Sequence, residues 1–351
     1  MKVAVVLTHP APYRDAVLKL LKACNGIEVE AICIFSRDFG HPDMGLGEDG
    51  GAIAKGCNTL YPGLFDGIRV AWRLTRRFSA RGYEFVVWPA YAPWWLTLPV
   101  ALRAMLGRRY AIALDTVRNS GGWLSRLIKL YLFDNATFLW VPGAASRKYL
   151  VANYGIADKK IVGGLYLPEF SVAKPRVANN DEPVFLMVAN NTPLRRMDVV
   201  VEGFKKYRAG GGRGRFVVCG KDTASLAGDG VEALDGVPSS ELPNLYGKAD
   251  VYVHNGTEQF SVALLMAAMS GIPLLSGAEV GACVDLLDDG SAGLRVARWY
   301  DADEWAFAFK NMFARADEWG VMGTAARRRA NNFDARETAA AVSSLILSAF
   351  D

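Results

Sequence analysis

The sequence predicts an α/β protein made of two doubly wound parallel-sheet domains. Three observations carry that prediction. Short apolar runs bounded by turn residues alternate with stretches of helical periodicity, as buried parallel strands and their crossover helices require. The alternation stops at a stretch rich in Pro, Asn and charge, PEFSVAKPRVANNDEP at 168–183, and then starts again. The length of 351 residues suits two domains that each bury a core.

In the first half, strands are predicted at 3–7, 29–35, 85–88, 110–114 and 137–141. A helix over 13–23 turns Val17, Leu18, Leu20 and Leu21 inward. Residues 38–66 are rich in Gly and Asp and read as an irregular loop. The second half predicts a strand at 183–190, a helix at 198–208, and a strand at 215–219 ending at Gly220. A short helix at 241–247, a strand at 250–254 and a helix at 261–270 follow, then strands at 273–276 and 292–296. Helices at about 301–318 and 334–349 close the chain. The domains are expected at 1–172 and 178–333. Segment 334–351, whose apolar face suits either domain, is a candidate to pack back on the first.

Composition narrows the function classes. With 51% hydrophobic residues, 22% charged and a net charge of +4, the chain is not a disordered tail. Five scattered cysteines without a CxxC pair argue against a disulfide-stapled secreted module and point to reduced cytosol. MKVAVVLTHP reads as a first strand, not a leader, because no small-residue cleavage site follows it. Two uncharged stretches, 85–102 and 259–278, approach membrane-spanning length. Pro89, Pro93 and Pro99 interrupt the first, and Gly271 and Pro273 the second, so both are expected to split into strands and helices.

Charge is uneven along the chain. Residues 1–176 hold 23 Lys+Arg against 13 Asp+Glu, a net of +10, whereas residues 177–351 carry −6. The first half is therefore expected to meet something anionic. Its densest basic run is Arg69, Arg73, Arg76, Arg77 and Arg81, with Trp72, Leu74 and Phe78 interleaved; Trp94 and Trp95 follow, then Arg103, Arg108 and Arg109. Basic amphipathic segments with Trp favour an anionic membrane surface. The plainer alternative is a solvated helix whose Arg stems cover the edge of the core. Zinc-finger spacing, an RNP-like motif and a basic tail are all missing from the sequence, so nucleic acid is not an expected partner.

Ligands of open parallel sheets bind beyond the carboxyl ends of the strands, so two such domains face to face make an interdomain cleft with two half-sites. Strand 183–190, the loop NNTPLRR and a helix starting near Asp198 form one candidate anion site, in which Arg195, Arg196 and the helix start hold a diphosphate. Asp198 itself reads as an N-cap. The second constellation, His254 to Ser261 (HNGTEQFS), lies between a strand and the apolar helix VALLMAAMS. Glu258 has no evident cation partner nearby in the chain. It suits a sugar-hydroxyl acceptor or a helix-dipole partner, and the N–H groups of Gln259, Phe260 and Ser261 suit anion donors. The three histidines, at 9, 41 and 254, show no metal-ligand spacing. The nearest acidic triad, Asp301-Ala-Asp303, opens a helix.

The stretch DVYVHNGTEQFSVALLMAAMSGIPLLSGAEVGACVDLLDDGSAGLRV resembles the C-terminal signature of glycosyltransferase family 4. VFLMVANNTPLRRMDVVVEGF, FVVCGKD and SSELPNLYGKADVYV support the resemblance, as do THPAPYRDAVLKLL, LDTVRN and VPGAASRKYLVANYGI in the first half. The resemblance implies a GT-B arrangement of two Rossmann-like domains and retaining transfer from a nucleotide-sugar without a metal or other cofactor. It places Glu258 at the donor sugar and Gln259, Phe260 and Ser261 in the adjoining backbone cradle. Arg195 falls where a Lys neutralises the donor diphosphate, and Asp115 falls at a first-domain position facing the transferred sugar. His9, Tyr13 and Arg14 border the donor phosphate and acceptor, and Lys221 and Val237 lie near the base pocket. Tyr91 is a candidate acceptor platform.

Two positions depart from the family pattern. Met266 stands where a second Glu binds the ribose, and Asn190 where an Arg is expected; Arg196 is the candidate to compensate. Three functions follow. The leading one is sugar transfer to a lipid-linked oligosaccharide or other glycoconjugate at the cytoplasmic face of a membrane. The others are a non-catalytic binding or regulatory module and a transferase for a small soluble acceptor.

Overall fold

The predicted strands pair side by side in two all-parallel sheets. A computed structural model describes residues 1–8, 12–34, 64–89, 94–115, 122–170 and 182–351. His9, His41, Cys57, Tyr91, residues 116–119 of LDTVRN and most of the 38–66 loop lie outside the described residues, as does the side chain of Trp94.

The first unit comprises Met1–Pro142, Ser146–Glu169 and Asp334–Asp351. Its elements run β1 (Lys2–Leu7), α1 (Pro12–Lys22), β2 (Glu28–Cys33), α2 (Leu64–Ala80), β3 (Phe85–Pro89), α3 (Trp94–Met105), β4 (Tyr110–Ala113), α4 (Trp123–Asn135), β5 (Leu139–Trp140), α5 (Ala144–Tyr154) and β6 (Ile161–Val162). The strand order is β2-β1-β3-β4-β5-β6, so the chain reverses direction across the sheet between β1 and β3. Burial on both faces explains why β3 is a continuous apolar run, with all five residues buried. Phe78, Tyr83 and Trp88 meet edge to face in the core on one side of this sheet.

The second unit comprises Gly143–Ala145 and Phe170–Phe333. It contains β7 (Val184–Val188), α6 (Met197–Ala209), β8 (Arg215–Gly220), β9 (Val231–Asp235), α7 (Leu242–Lys248), β10 (Val251–His254), α8 (Val262–Met269), β11 (Leu274–Gly277), α9 (Cys283–Leu286), β12 (Gly293–Val296), α10 (Ala302–Ala314) and α11 (Trp319–Ala330). The order β12-β11-β10-β7-β8-β9 reverses between β7 and β10. Phe309 sits against Phe185 and Phe204, with ring centroids 5.1 and 5.2 Å away, and seals α10 and α6 onto the sheet. The last helix, α12 (Ala335–Ser348), packs on α1 in the first unit.

Both near-membrane-length stretches divide. The first becomes β3 and α3, although Pro99 lies inside α3 and does not end it. The second becomes α8 and β11, joined where Gly271 adopts φ +71° and donates its N–H to Ala268, a turn that lets Pro273 lead into the strand. Among the described residues no helix is long and apolar enough to cross a membrane. Sequence patterning does not reach β9, an edge strand of half-exposed VEALD, or the two-residue β6. The helix predicted at 301–318 ends at Ala314, and α11 follows it: Gly323, at its middle, lies so close to the carbonyl of Gly271 that no side chain fits.

Candidate functional site

The reversal between β7 and β10 brings two loops together at the carboxyl ends of neighbouring strands. Residues 189–196 leave β7 for α6, and residues 255–261 leave β10 for α8. Their side chains meet. Arg195 donates from Nη1 to Oε1 of Glu258, and the same Nη1 lies 2.8 Å from Nε2 of His254. His254 Nε2 also contacts Glu258 Oε1. The carboxylate is the strongest acceptor of the three groups, so it accepts from both the imidazole N–H and the guanidinium. Glu258 therefore has a cation partner, though not one among its near neighbours in the chain. That partner is 63 positions away, on the adjacent strand's loop.

His254 is almost fully buried at the end of β10. Its ring lies nearly parallel to that of Tyr252, with centroids 6.0 Å apart and planes at 15°, and Tyr252 stacks in turn on Tyr246 at 5.4 Å and 17°. Tyr252 donates its hydroxyl proton to the carbonyl of Val188 and Tyr246 to that of Ala263, so both polar ends are satisfied. This three-ring column fixes the imidazole from below. Burial pulls the His254 pKa below its ordinary value, against the opposing pull of Glu258, and the ring is neutral at pH 7. Burial pushes the Glu258 carboxyl upward, but its bond to His254 and the nearby Arg195 charge outweigh that and hold it below the usual range.

The neighbouring positions divide by role. Ser261 caps α8, its Oγ accepting from Leu264 N at 3.1 Å, and Phe260 packs on Phe333 with centroids 5.4 Å apart. Their side chains are buried in the unit, so these positions have only backbone to offer a ligand, next to half-exposed Gln259. Gly281 donates to the carbonyl of Glu258 at 2.8 Å, and a Cβ there would overlap the Gln259 carbonyl, so a glycine is needed to support the loop. Asn190 accepts from Lys221 N at 3.1 Å, which ties the end of β7 to that of β8. Gly220, at φ +153°, permits that approach by leaving room for the Ala189 carbonyl. Lys221 and Val237 follow β8 and β9 on the same sheet edge. Met266 is half-buried on α8.

Arg196 and Asp198 differ from expectation. Asp198 is not the N-cap: α6 begins at Met197, and Arg196 occupies the cap position in the left-handed region at φ 44°. The Arg196 guanidinium folds over the first turn onto Asp198, with Nε 3.2 Å from Oδ1. Both side chains of this pair are exposed. No side chain caps the start of α6.

In the first unit, Arg14 is buried within the first turn of α1. Its Nη2 lies 3.4 Å from Asp115 Oδ1, just past β4, and its guanidinium sits 5.3 Å from the ring of Tyr166 and 5.9 Å from that of Tyr13. Burial opposes the charge, but Asp115 and Tyr166 outweigh it and raise the Arg14 pKa above its ordinary value. The same burial raises the Tyr166 hydroxyl well above its usual range. Sequence reasoning finds Tyr13, Arg14 and Asp115 but misses Tyr166, which carries no motif. Among the described residues no three His, Cys, Asp or Glu side chains gather as a metal site.

Two doubly wound six-stranded units, one with a charged cluster at its sheet reversal, define a protein of the GT-B fold class. Residues 171–329 match the family model of glycosyl transferases group 1. That match covers nearly the whole of the second unit, which is thus similar to the glycosyl transferases of that group. Its fold is similar along the whole length to sucrose-phosphate synthase from Thermosynechococcus elongatus, with a TM-score of 0.73, 16% identity, and coverage of 100% of this chain and 99% of that one. A glycosyltransferase from Rickettsia africae gives 0.70 at 15% identity, covering 99% and 97%. Anabaena HepE in complex with UDP gives 0.69 at 11% identity, covering 99% and 100%. No curated protein matches significantly by sequence.

Proposed function

We propose that the chain transfers a sugar, with retention at the anomeric carbon, from a nucleoside-diphosphate sugar to a lipid-linked oligosaccharide or other glycoconjugate. The observation that carries the reading is the Arg195–Glu258–His254 cluster at the reversal point of the second sheet. As the glycosyl–oxygen bond breaks, negative charge grows on the departing diphosphate; Arg195 and the uncapped start of α6 oppose it, without a metal. Positive charge grows at the anomeric carbon, where the Glu258 carboxylate orients the sugar hydroxyls and stabilises that charge. The acceptor hydroxyl forms the new bond on the same face, and its proton passes to a phosphate oxygen. Lys221 and Val237 lie on the nucleobase side, while Asp115, Arg14 and Tyr13 serve the acceptor side from the first unit.

A nucleotide donor fits two comparisons: HepE has also been solved with UDP-glucose, at a TM-score of 0.66. The cytoplasmic face of a membrane is where such a donor and a lipid-linked acceptor meet. The test is calorimetry with UDP, GDP, ADP, CMP and dTDP on the full chain, then transfer assays with the matching sugars. One nucleotide should bind selectively, Arg195→Ala should weaken it, and Glu258→Ala should abolish transfer. Binding without turnover of any donor would turn the reading toward a non-catalytic module.

A further inference from the structure

Helix α4 is apolar on both sides: Leu132 and Phe133 enter the core, yet the outer face is apolar as well. Its exposed stripe is apolar: Trp123 is 76% exposed and Leu127 53%, with Leu124, Ile128 and Tyr131 beside them, while Lys129 faces inward at 4%. A helix of a self-sufficient domain has a polar face opposite its apolar stripe. Neighbouring α3 presents Leu98, Leu102 and Met105, spaced by four and three. Beyond it, α2 presents Phe65, Ile68 and Trp72, although its inner face, Val70, Leu74 and Phe78, already fills the core. The three helices pack in sequence, α2 on α3 and α3 on α4, so the exposed stripes lie on adjoining elements of one layer. Scattered single apolar residues need no explanation, but a layer of three such stripes does.

Charge indicates what covers it. Residues 64–135 hold 11 Lys+Arg against 4 Asp+Glu. Not all are available: Arg77 and Arg81 bind Glu30, at 3.1 and 2.7 Å, and Arg103 is buried, donating to the carbonyls of Tyr83, Glu84 and Arg109. The exposed remainder includes Arg73 and Arg76, on the outward side of α2 beside Trp72, and Arg108 and Arg109 just past α3. Trp95, expected as a membrane anchor, is fully buried instead.

We propose that the outer face of α2, α3 and α4 is a docking surface for an anionic lipid bilayer. The apolar stripes enter the interface and the flanking arginines contact the lipid phosphates. The inference deepens the lipid-linked acceptor of the proposed function and rests on it for its biological sense. Its test reads vesicle binding rather than transfer, so the two can fail separately.

The experiment is co-sedimentation of the full chain with vesicles of phosphatidylcholine alone and of phosphatidylcholine mixed with phosphatidylglycerol. Light scattering is run in parallel. The expected result is binding to the anionic vesicles that salt weakens, with little binding to the neutral ones. Arg73→Glu/Arg76→Glu, at two exposed positions, should weaken that binding about tenfold or more. Leu124→Glu/Leu127→Glu should weaken it similarly, with circular dichroism and nucleotide binding unchanged. Equal binding to both vesicles, or to neither, overturns the proposal. So does a dimer in solution that Leu124→Glu/Leu127→Glu converts to monomer without altering vesicle binding, since the face would then belong to a second copy of the chain.

Discussion

Arg195 and Glu258 share a charge-assisted hydrogen bond between loops that leave two adjacent parallel strands. In the proposed donor site, the cation for the diphosphate is thus held, before donor arrives, by the carboxylate for the sugar. Removing either side chain leaves the other with a half-buried, uncompensated charge. Arg195→Ala is expected to weaken binding of the preferred nucleoside diphosphate by about 1.5–3 kcal/mol, or roughly ten- to a hundredfold in Kd by calorimetry. Glu258→Gln should retain nucleotide binding and lower kcat by about a hundredfold or more. A double-mutant cycle on thermal stability should return a coupling of about 0.5–3 kcal/mol, because the two groups touch. A coupling near zero would show that the pair does not form in solution.

The same cluster sets an acid limit. The folded-state pKa of His254 lies below its ordinary value of 6.5, and that of Glu258 below 4.5. For each group the folded state binds its proton less readily than the unfolded chain does, so stability falls as pH falls. The His254 contribution is complete above about pH 6.5 and is lost below it; the Glu258 contribution is complete above about pH 4.5 and is lost below that. Thermal melts should therefore show Tm declining in two stages from neutral to acid pH. His254→Phe keeps a ring on Tyr252 and removes the first titration, so its Tm profile between pH 6.5 and 4.5 should be flatter than that of the parent. An identical slope in both proteins would place the acid sensitivity elsewhere.

The core strands are legible in the sequence because a parallel strand covered on both faces must be apolar, as all five buried residues of β3 and Val251, Tyr252 and Val253 of β10 are. The edge strand β9 is not legible, since water on one side allows VEALD to read as a loop. At the site, Glu258 is legible from its place between a strand and a very apolar helix. Its partnership with Arg195 is not, because strand order rather than chain distance brings the two together. Tyr166 and the Tyr246–Tyr252–His254 column are invisible for the same reason. The basic face of α2 is legible as a helix, but its division between arginines held by Glu30 and arginines left in solvent depends on a different strand, β2.

Gly281 supports the Glu258 loop through a close backbone approach, not through an unusual backbone angle. Any Cβ would press on the Gln259 carbonyl while the Gly281 N–H is bonded to the carbonyl next to it. Gly281→Ala is expected to cost about 1–3 kcal/mol of stability and to weaken donor binding, since the loop must shift. Gly320→Ala is the control: nothing lies within 4 Å of its added methyl, and it sits in α11, where Ala is favoured by about 1 kcal/mol. Equal effects of the two substitutions on chemical denaturation would mean that the loop yields without cost.

Met266 lies on α8 eight positions beyond Glu258, where the family pattern puts a second carboxylate for the ribose hydroxyls, and it is only half-buried. A carboxylate placed there meets water in the free protein, so it carries little desolvation cost. In the bound state it would accept hydrogen bonds that methionine cannot. Met266→Glu is therefore expected to tighten binding of the preferred nucleoside diphosphate by about 1.5–3 kcal/mol, roughly ten- to a hundredfold in Kd. The comparison with the 2′,3′-dideoxy nucleotide locates the effect: tightening confined to the ribose form places the ribose against α8. Tightening of neither form would mean that the nucleotide lies elsewhere on the sheet edge, and that Met266 is a packing residue with no part in donor recognition.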